Sequence, residues 1–523
     1  MGLFNNLAAP MLSRHIEIEM GAMNADDSSG APGICPRHDL MSLSAAQIAA
    51  YVRRRELSPV EVVSAHIEHV KRVDATINAI AHERFRAALK EARHAERMIL
   101  RGETLGPLHG VPCTVKEGLG FGGLPHTAGS TLRLAHRAKS DATVVARIRA
   151  AGAVVIGLTN QSEMALWPEA SNLVYGRTEN PWCVGRSSGG SSGGEAAIVA
   201  AGGSVFGIGT DGGGSVRIPA AYCGVFGHKP SSRTAPLTGH VPLDEMFGSL
   251  PGAQDMARYF ASGPMARRAE DLMLVLRVMA GEDGFDRNVK SCMLSEPDMV
   301  RLKGRRVLMC DAPPIGRRRS VHVEASAAVR RAAVALESVG AIVVPWSDPL
   351  LANAFELWAT AVSACGGPSL QALIGQGRPP SLGRELGRRL IGKPRHTTAA
   401  WVTCASERWL SPGRAAQLRR VQELGVLNRR LLGSLGDDGL LLLPPVRGVA
   451  PRHGDAMLHP TDIGLSALFN VMELPATVVP VGLGAHGLPL SVQIVGPYGG
   501  DHLTLSAALA LEQLLGGWHR PAI

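Results

Sequence analysis

The sequence is poor in aromatic residues and in lysine. Phenylalanine, tryptophan and tyrosine make up only 4% of the 523 residues, so a nucleic-acid surface built from stacked aromatic side chains is not expected. Only eight of the 54 basic residues are lysine, and the net charge of +9 is therefore carried mostly by arginine. No nucleic-acid-binding motif accompanies this charge, which we interpret as a solvated basic surface.

Closely spaced cysteine pairs and long apolar runs are absent as well. The eight cysteines are scattered without a C-x-x-C pair, which argues against a structural zinc site and against a disulfide-built secreted scaffold. No run of 18 apolar residues occurs, and the first 21 residues lack the basic start of a signal peptide. The sequence therefore predicts a cytoplasmic protein with no integral membrane segment, no metal and no cofactor.

Alternating helix and strand patterns predict an α/β fold. Residues 58–61 (Ser-Pro-Val-Glu) form a capping box with proline at the first helical position. Further along, Asp141 is expected to cap a helix over 142–151 that Gly152 ends, and an apolar strand over 154–158 follows. The same order recurs later in the chain. We expect a mixed, largely parallel twisted sheet covered by helices on both faces.

The domain organisation is predicted to be simple. Residues 1–38 mix small, polar and turn-forming types and are expected to form a flexible N-terminal extension. Residues 350–440 are helical in pattern and rich in arginine, without a clear linker on either side. We therefore expect residues 39–523 to form one large domain that includes this helical segment as an elaboration.

Glycine and serine are concentrated between residues 185 and 230. Residues 189–194 are Gly-Gly-Ser-Ser-Gly-Gly, and residues 209–215 are Gly-Thr-Asp-Gly-Gly-Gly-Ser. Such a density of glycine indicates a backbone that approaches another group closely or adopts positive φ. Consecutive amides in such turns form concavities that bind anions. Ser215, directly after three glycines, is expected to lie beside amide donors suited to an oxyanion.

Two generic motifs match fragments of this stretch. Residues 207–212 fit the Gly-x-Gly-x-x-Gly dinucleotide-binding fingerprint, but Pro219 argues against a following helix. In addition, no acidic residue stands about 20 positions further on, as that fingerprint requires. Residues 189–193 fit the Gly-x-Ser-x-Gly nucleophile elbow of α/β-hydrolases, which needs an acid and a histidine later in the chain. Several histidines follow, but no feature of the sequence marks one of them as catalytic; they include His228, His240 and His459.

The complete stretch resembles the signature sequence of the amidase signature family of serine hydrolases. The match extends from residue 189 through 209–220 to Gly-Val-Phe-Gly-His-Lys-Pro at 224–230. Upstream, residues 108–117 (Leu-His-Gly-Val-Pro-Cys-Thr-Val-Lys-Glu) resemble the segment that carries the catalytic lysine of this family. Segments at 263–272 and 487–496 also fit, so the resemblance covers about residues 43–520.

Within this family the sequence most resembles the fatty-acid amide hydrolase branch. The supporting segments are residues 191–195, 226–231, 435–439 and 501–505. We expect no N-terminal membrane anchor of the kind that enzymes of that branch often carry, and this departure weakens the inference to membrane-delivered lipid substrates.

The resemblance implies a triad of two serines and one lysine. Ser215 would be the nucleophile that forms an acyl-enzyme, and Ser191, after a cis peptide bond, would relay its proton to Lys116. A lysine must be neutral to act as a base, and burial among apolar neighbours lowers its pKa. The backbone amides implied to hold the oxyanion are those of Gly212, Gly213, Gly214 and Ser215.

The resemblance also implies supporting residues. Asp211 and Arg217 are expected to form an ion pair that fixes the loop around the nucleophile. Ser192 is expected to hydrogen-bond around the triad. The residues expected to line the substrate pocket are Ala165, Leu166 and Trp167.

The sequence therefore predicts a hydrolase of small-molecule amides, preferably those with hydrophobic acyl or aryl groups. Cleavage of carbamates (urethanes) or esters by the same acyl-enzyme chemistry is an alternative. The glutamine-hydrolysing subunit of a tRNA amidotransferase is another, and a non-catalytic scaffold is disfavoured because Lys116, Ser191 and Ser215 are all present. No nucleic-acid partner is expected, and a homodimer is left open.

Overall fold

An eleven-stranded sheet forms the centre of the part of the chain that the structure describes. The structure is a computed structural model. It describes residues 39–523 without 242, 244–251, 291–293, 317–318 and 411–412. The predicted N-terminal extension over 1–38 lies outside the described residues.

The strands are numbered in chain order. Short hairpins of β4 with β5 and of β6 with β7 stand beside the main sheet, whose strand order is β1-β3-β2-β8-β10-β9-β14-β15-β13-β11-β12. The bounds are β1 Ile80–Glu83, β2 Pro112–Lys116, β3 Val154–Thr159, β4 Ser171–Asn172, β5 Gly176–Arg177, β6 Glu179–Asn180, β7 Cys183–Ser187, β8 Phe206–Asp211, β9 Phe226–Lys229, β10 Ala261–Ala266, β11 Arg306–Met309, β12 Ile342–Pro345, β13 Leu440–Leu443, β14 Ala476–Leu483 and β15 Pro489–Val495.

The sheet is mixed, as the alternating pattern predicts, but among the described residues four of its neighbouring pairs are parallel and six are antiparallel, so the parallel share is smaller than expected. Strand β2 runs parallel to both of its neighbours, β3 and β8, and β11 runs parallel to β12 and β13. The remaining neighbours in the described sheet are antiparallel, including β8 with β10 and β14 with β15. The α/β fold with one large sheet is therefore confirmed.

The helices cover both faces of the sheet. Along β13, Leu440 and Leu442 belong to one apolar cluster, whereas Leu441 and Leu443 belong to a second one. Successive side chains of a strand point to opposite faces, so the two clusters lie on opposite sides of the sheet. The α-helices are Ala45–Arg53, Pro59–Ile77, Phe85–Leu100, Thr143–Ala150, Gly193–Ala200, Arg217–Cys223, Ala253–Ala257, Glu270–Met279, Val323–Ser338, Ala354–Ala364, Leu370–Ile374, Leu382–Leu390, Thr398–Leu410, Arg414–Leu435, Asp455–Leu458, Gly464–Val471 and Asp501–Leu515.

Two helix starts differ in how well local sequence predicts them. The capping box at Ser58 forms as expected, because Ser58 Oγ accepts from the amides of Val60 and Glu61 and the Glu61 carboxylate accepts from the Ser58 amide. The predicted cap at Asp141 is wrong. The helix begins one residue later, at Thr143, and Asp141 instead accepts the Gly122 amide at 2.8 Å.

A second correction concerns Pro219. The helix Arg217–Cys223 follows the glycine-rich turn, although we expected Pro219 to prevent it. Pro219 is the third residue of this helix, where a backbone N–H has no intrahelical acceptor, so the missing hydrogen removes no helical hydrogen bond.

The sequence predicts no membrane-spanning segment. Within the described residues, no helix is both long and apolar enough to cross a bilayer.

Candidate active site

Neighbouring parallel strands bring the candidate catalytic residues to one edge of the sheet. Lys116 is the last residue of β2, and Thr210 and Asp211 end the adjacent strand β8. Parallel strands end at the same edge, so these side chains meet although 94 residues separate Lys116 from Thr210 in sequence. Ser191 precedes the helix that leads into β8, and Ser215 lies in the turn that leaves it.

Lys116 is hydrogen-bonded to two hydroxyl groups. Its Nζ donates to Ser191 Oγ at 2.6 Å and to Thr210 Oγ1 at 2.8 Å. Both Lys116 and Ser191 have no solvent exposure. Burial lowers the pKa of Lys116 to about 7, although the nearby negative charges of Asp211 and Glu195 act to raise it. A large share of this lysine is therefore neutral near pH 7.

The segment around Ser191 is closely packed. The peptide bond between Gly190 and Ser191 is cis. A Cβ at Gly190 would lie only 2.6 Å from the carbonyl oxygen of Trp167, so no larger residue fits there. The next amide, that of Ser192, donates to the carbonyl of Ser215 at 3.2 Å. The two serine segments are therefore tied directly to each other.

Ser192 itself bonds to the backbone of Thr210. Its Oγ accepts from the Thr210 amide and donates to the Thr210 carbonyl, both at 3.3 Å. Ser192 thus fastens the end of β8 to the segment that carries Ser191.

Asp211 and Arg217 form a buried ion pair beneath the turn. Arg217 Nη2 lies 2.9 Å from Asp211 Oδ1, and Arg217 Nε lies 3.0 Å from Asp211 Oδ2. Burial by itself would raise the pKa of Asp211, but the charge and the hydrogen bonds of Arg217 outweigh it and lower that pKa. Arg217 donates further to the Ser466 carbonyl and to the Asn470 side chain. Sequence patterns identified neither of these two acceptors, because they lie about 250 residues away.

The glycines before Ser215 have different roles. The Gly214 amide, one of the four expected oxyanion donors, donates to Asp211 Oδ1 at 2.7 Å in this structure. An amide hydrogen that points at this carboxylate points away from a substrate. Gly212, Gly213 and Ser215 are partly exposed, unlike the buried Lys116. A substrate would therefore approach from the side of these three residues.

The segment expected to line a pocket lies beside this exposed side. Ala165, Leu166 and Trp167 are half-buried. Leu166 and Phe260 both pack against one cluster of buried apolar residues. The Phe260 ring in turn contacts Gly212, because a Cβ on Gly212 would overlap the ring.

A second aromatic residue bounds the same turn. Trp358 Nε1 donates to the carbonyl of Gly212 at 2.9 Å, and the indole lies 2.9 Å from where a Cβ of Gly213 would stand. Sequence patterns identified neither Phe260 nor Trp358. No local motif surrounds them, and only the fold brings them to the glycine turn.

Comparison with known proteins identifies the family of this chain. The family model described as Amidase matches residues 61–505, and the chain therefore belongs to the amidase family. This confirms the resemblance read from the signature sequence and identifies the protein as an amide hydrolase.

The chain is similar to several known proteins over most of its length. It is 37% identical to fatty-acid amide hydrolase 2-B of Danio rerio over 500 residues, which are 92% of this chain and 91% of that protein. It is 31% identical over 494 residues to a glutamyl-tRNA(Gln) amidotransferase subunit of Moorella thermoacetica, covering 91% of this chain and 97% of that protein. Among solved structures, 6-aminohexanoate cyclic dimer hydrolase complexed with substrate has a TM-score of 0.75 at 29% identity, over 92% of this chain and 99% of that chain.

Proposed function

We propose that this enzyme hydrolyses amides through a triad of Ser215, Ser191 and Lys116. The observation that carries the proposal is the 2.6 Å contact between the buried Lys116 amine and Ser191 Oγ. The lowered pKa of Lys116, about 7, supports its role as a base, since a neutral amine has a lone pair that accepts a proton. Ser215 is the nucleophile because it is partly exposed, whereas Ser191 is fully buried.

In the first half of the reaction, Ser215 Oγ attacks the amide carbonyl carbon. Its proton passes to Ser191 Oγ, and the proton of Ser191 passes to Lys116 Nζ. The carbonyl oxygen becomes an oxyanion that the amides of Gly212, Gly213 and Ser215 stabilise. The proton then returns through Ser191 to the amide nitrogen, the C–N bond breaks, and the amine product leaves. The acyl group stays bound to Ser215 as an ester.

In the second half, water attacks this ester by the same route. Lys116 accepts the proton of water through Ser191, and Ser215 Oγ regains a proton when the C–O bond to the acyl group breaks. The carboxylic acid product leaves, and the triad returns to its starting protonation state.

The substrate class we propose is an amide with a hydrophobic acyl or aryl group. Support comes from the aromatic side chains of Phe260 and Trp358 beside the glycine turn, and from Leu166, which packs against the same apolar cluster as Phe260. The 37% identity to a fatty-acid amide hydrolase also favours a hydrophobic acyl group.

Carbamate (urethane) or ester cleavage stays an alternative, because the same acyl-enzyme chemistry serves those substrates. A role as a glutamine-hydrolysing subunit is a weaker alternative, since the similarity to the amidotransferase protein is lower, at 31% identity. A panel of acyl amides, anilides, carbamates, esters and free glutamine, assayed for kcat/KM, tests the proposal. Preference for glutamine with ammonia release would contradict it.

Three further points from the sequence are kept here. They are a proposed cytoplasmic location, the open question of a homodimer, and a proposed catalytic domain over residues 39–523. Size-exclusion chromatography with light scattering tests the second, and activity of a chain that starts at residue 39 tests the third.

A further inference from the structure

A histidine lies two hydrogen bonds away from the candidate base. His240 Nε2 lies 2.9 Å from Thr210 Oγ1, and the same hydroxyl oxygen accepts from Lys116 Nζ at 2.8 Å. His240, Thr210 and Lys116 are all buried, with at most 2% of each exposed. Among the described residues, Nδ1 of His240 has no hydrogen-bond partner. Two hydrogen bonds that share the Thr210 hydroxyl therefore connect His240 to Lys116.

A hydroxyl group can accept one of these hydrogen bonds and donate the other. A threonine hydroxyl has one hydrogen and two lone pairs. Because Lys116 donates to Thr210 Oγ1, the threonine hydrogen is free to be donated to His240 Nε2. This arrangement requires a neutral His240 that carries its hydrogen on Nδ1, the nitrogen without a partner in the described part of the chain.

The surroundings of His240 favour this neutral form. Burial lowers its pKa well below the usual value, and the charges of Lys116 and His126 lower it further. The ring of Phe260 packs beside the imidazole, at 6.4 Å between centroids. The acidic groups of this region, Asp211 and Glu195, act on Lys116.

The direction of the hydrogen bond between Thr210 and Lys116 decides whether the lysine can act as a base. A neutral amine has two hydrogens and one lone pair, and it is this lone pair that takes the proton of Ser191. As an ammonium, Lys116 donates to both Ser191 and Thr210. As a neutral amine it keeps donating to Thr210, and its lone pair is left facing Ser191. If the threonine hydrogen pointed at Lys116 instead, it would occupy the same lone pair and compete with Ser191.

We propose that His240, acting through the hydroxyl of Thr210, is a positioning residue that keeps the lone pair of neutral Lys116 directed at Ser191. The proposal rests on the function proposed above, in which Lys116 is the base. His240 contacts neither the substrate nor the nucleophile in this account. It accepts the threonine hydrogen and so determines which way the threonine donates.

The test compares two substitutions of His240. Replacement by leucine, His240→Leu, removes the acceptor. Replacement by glutamine, His240→Gln, keeps one, since its amide oxygen reaches about as far as Nε2. We expect the leucine variant to lose about tenfold in kcat with little change in KM, the size of one hydrogen bond. We expect the glutamine variant to stay within about threefold of the wild-type enzyme.

The pH profile gives a readout that a general structural defect would not change. In the leucine variant the threonine hydrogen turns to the lysine lone pair, which stabilises the neutral amine relative to the ammonium. The acid limb of kcat/KM should therefore move to lower pH while the plateau falls. His66→Leu is a matched control, because His66 is equally buried but bonds to the carbonyl of Val62 in its own helix. The His66→Leu variant should keep the acid limb of the wild-type pH profile.

A double-mutant cycle with Thr210→Val isolates the coupling. Without the threonine hydroxyl, His240→Leu should cause no further loss of activity and no further shift of the acid limb. Equal losses in both backgrounds, or a leucine variant with the wild-type acid limb, would overturn the proposal, as would a glutamine variant that behaves like the leucine variant. Full activity of Lys116→Ala would instead contradict the triad itself, so the two failures are distinguishable.

Discussion

The carboxylate of Asp211 and the guanidinium of Arg217 meet in an ion pair from which water is excluded, 2.9 Å apart at their closest atoms and with no exposure of either side chain. Asp211 also accepts the amides of Gly214 and Val216, the two neighbours of Ser215. One carboxylate therefore holds the backbone on both sides of the candidate nucleophile, and Arg217 holds that carboxylate in place.

Breaking this pair should destabilise the protein strongly. Asp211→Ala leaves the Arg217 charge buried without its main partner, and such losses cost about 3–5 kcal/mol of unfolding free energy. Urea unfolding of the purified variant measures this loss. Glu68→Ala is the control, because Glu68 pairs with Lys71 on the exposed surface, and such pairs contribute about 0–1 kcal/mol. A loss below about 1 kcal/mol in the Asp211 variant would contradict the structural role of the pair.

Removal of the nucleophile should abolish turnover while the fold persists. Ser215→Ala lacks the oxygen that forms the acyl-enzyme, and its circular dichroism spectrum should match that of the wild-type enzyme. A fluorophosphonate probe should label Ser215 in the wild-type protein, which peptide mass spectrometry detects. Labelling at Ser191 in place of Ser215 would reverse the two roles.

Activity should rise with pH through a single ionisation near pH 7. The base must be neutral, and the pKa of Lys116 is lowered to about 7 by burial. Below this value the lysine is protonated and cannot accept the proton of Ser191, so kcat/KM falls as the pH is lowered; above it, kcat/KM reaches a plateau. Lys116→Ala should lose nearly all of the activity, together with this fall of kcat/KM on the acid side of the pH profile (the acid limb).

A second buried lysine makes the assignment of that ionisation testable. Burial also lowers the pKa of Lys229 to about 7, but its Nζ donates to the carbonyl of Pro230. Lys229→Met should therefore retain the acid limb of the wild-type profile. Loss of the limb in this variant, with the limb intact in Lys116→Ala, would show that the ionisation belongs to Lys229 and not to Lys116.

Acyl-chain length should increase kcat/KM if the pocket is apolar. Each methylene buried in the pocket contributes about 0.8 kcal/mol of binding free energy. We therefore expect kcat/KM to rise roughly fourfold for each methylene added between the acetyl and the hexanoyl amide. Phe260→Ala should reduce this gain per methylene, because the ring lies against Gly212 and packs against the same apolar cluster as Leu166. Initial rates with a homologous series of anilides measure the slope. A flat profile together with rapid hydrolysis of free glutamine would favour the amidotransferase alternative.

Local patterns predicted much of the secondary structure correctly and failed where a side chain had a distant partner. The capping box at Ser58 formed because every group in it belongs to one turn of helix. Asp141 did not act as a cap, because it accepts the amide of Gly122, which another segment of the chain brings close, and bonds to Arg149 further along the same helix. Pro219 did not prevent a helix, since its position in the first turn depends on where the glycine turn ends.

The sequence by itself determined the family, the α/β class and the identity of the candidate lysine and serines, because a long signature with fixed spacing carries that information. Only the tertiary structure decided what surrounds them. Thr210 and His240 approach Lys116, and Trp358 approaches the glycine turn, through contacts between segments up to 146 residues apart. Such contacts follow from how strands pair and helices pack, and no local spacing in the chain records them. The burial that lowers the pKa of Lys116 likewise arises only once the sheet is covered.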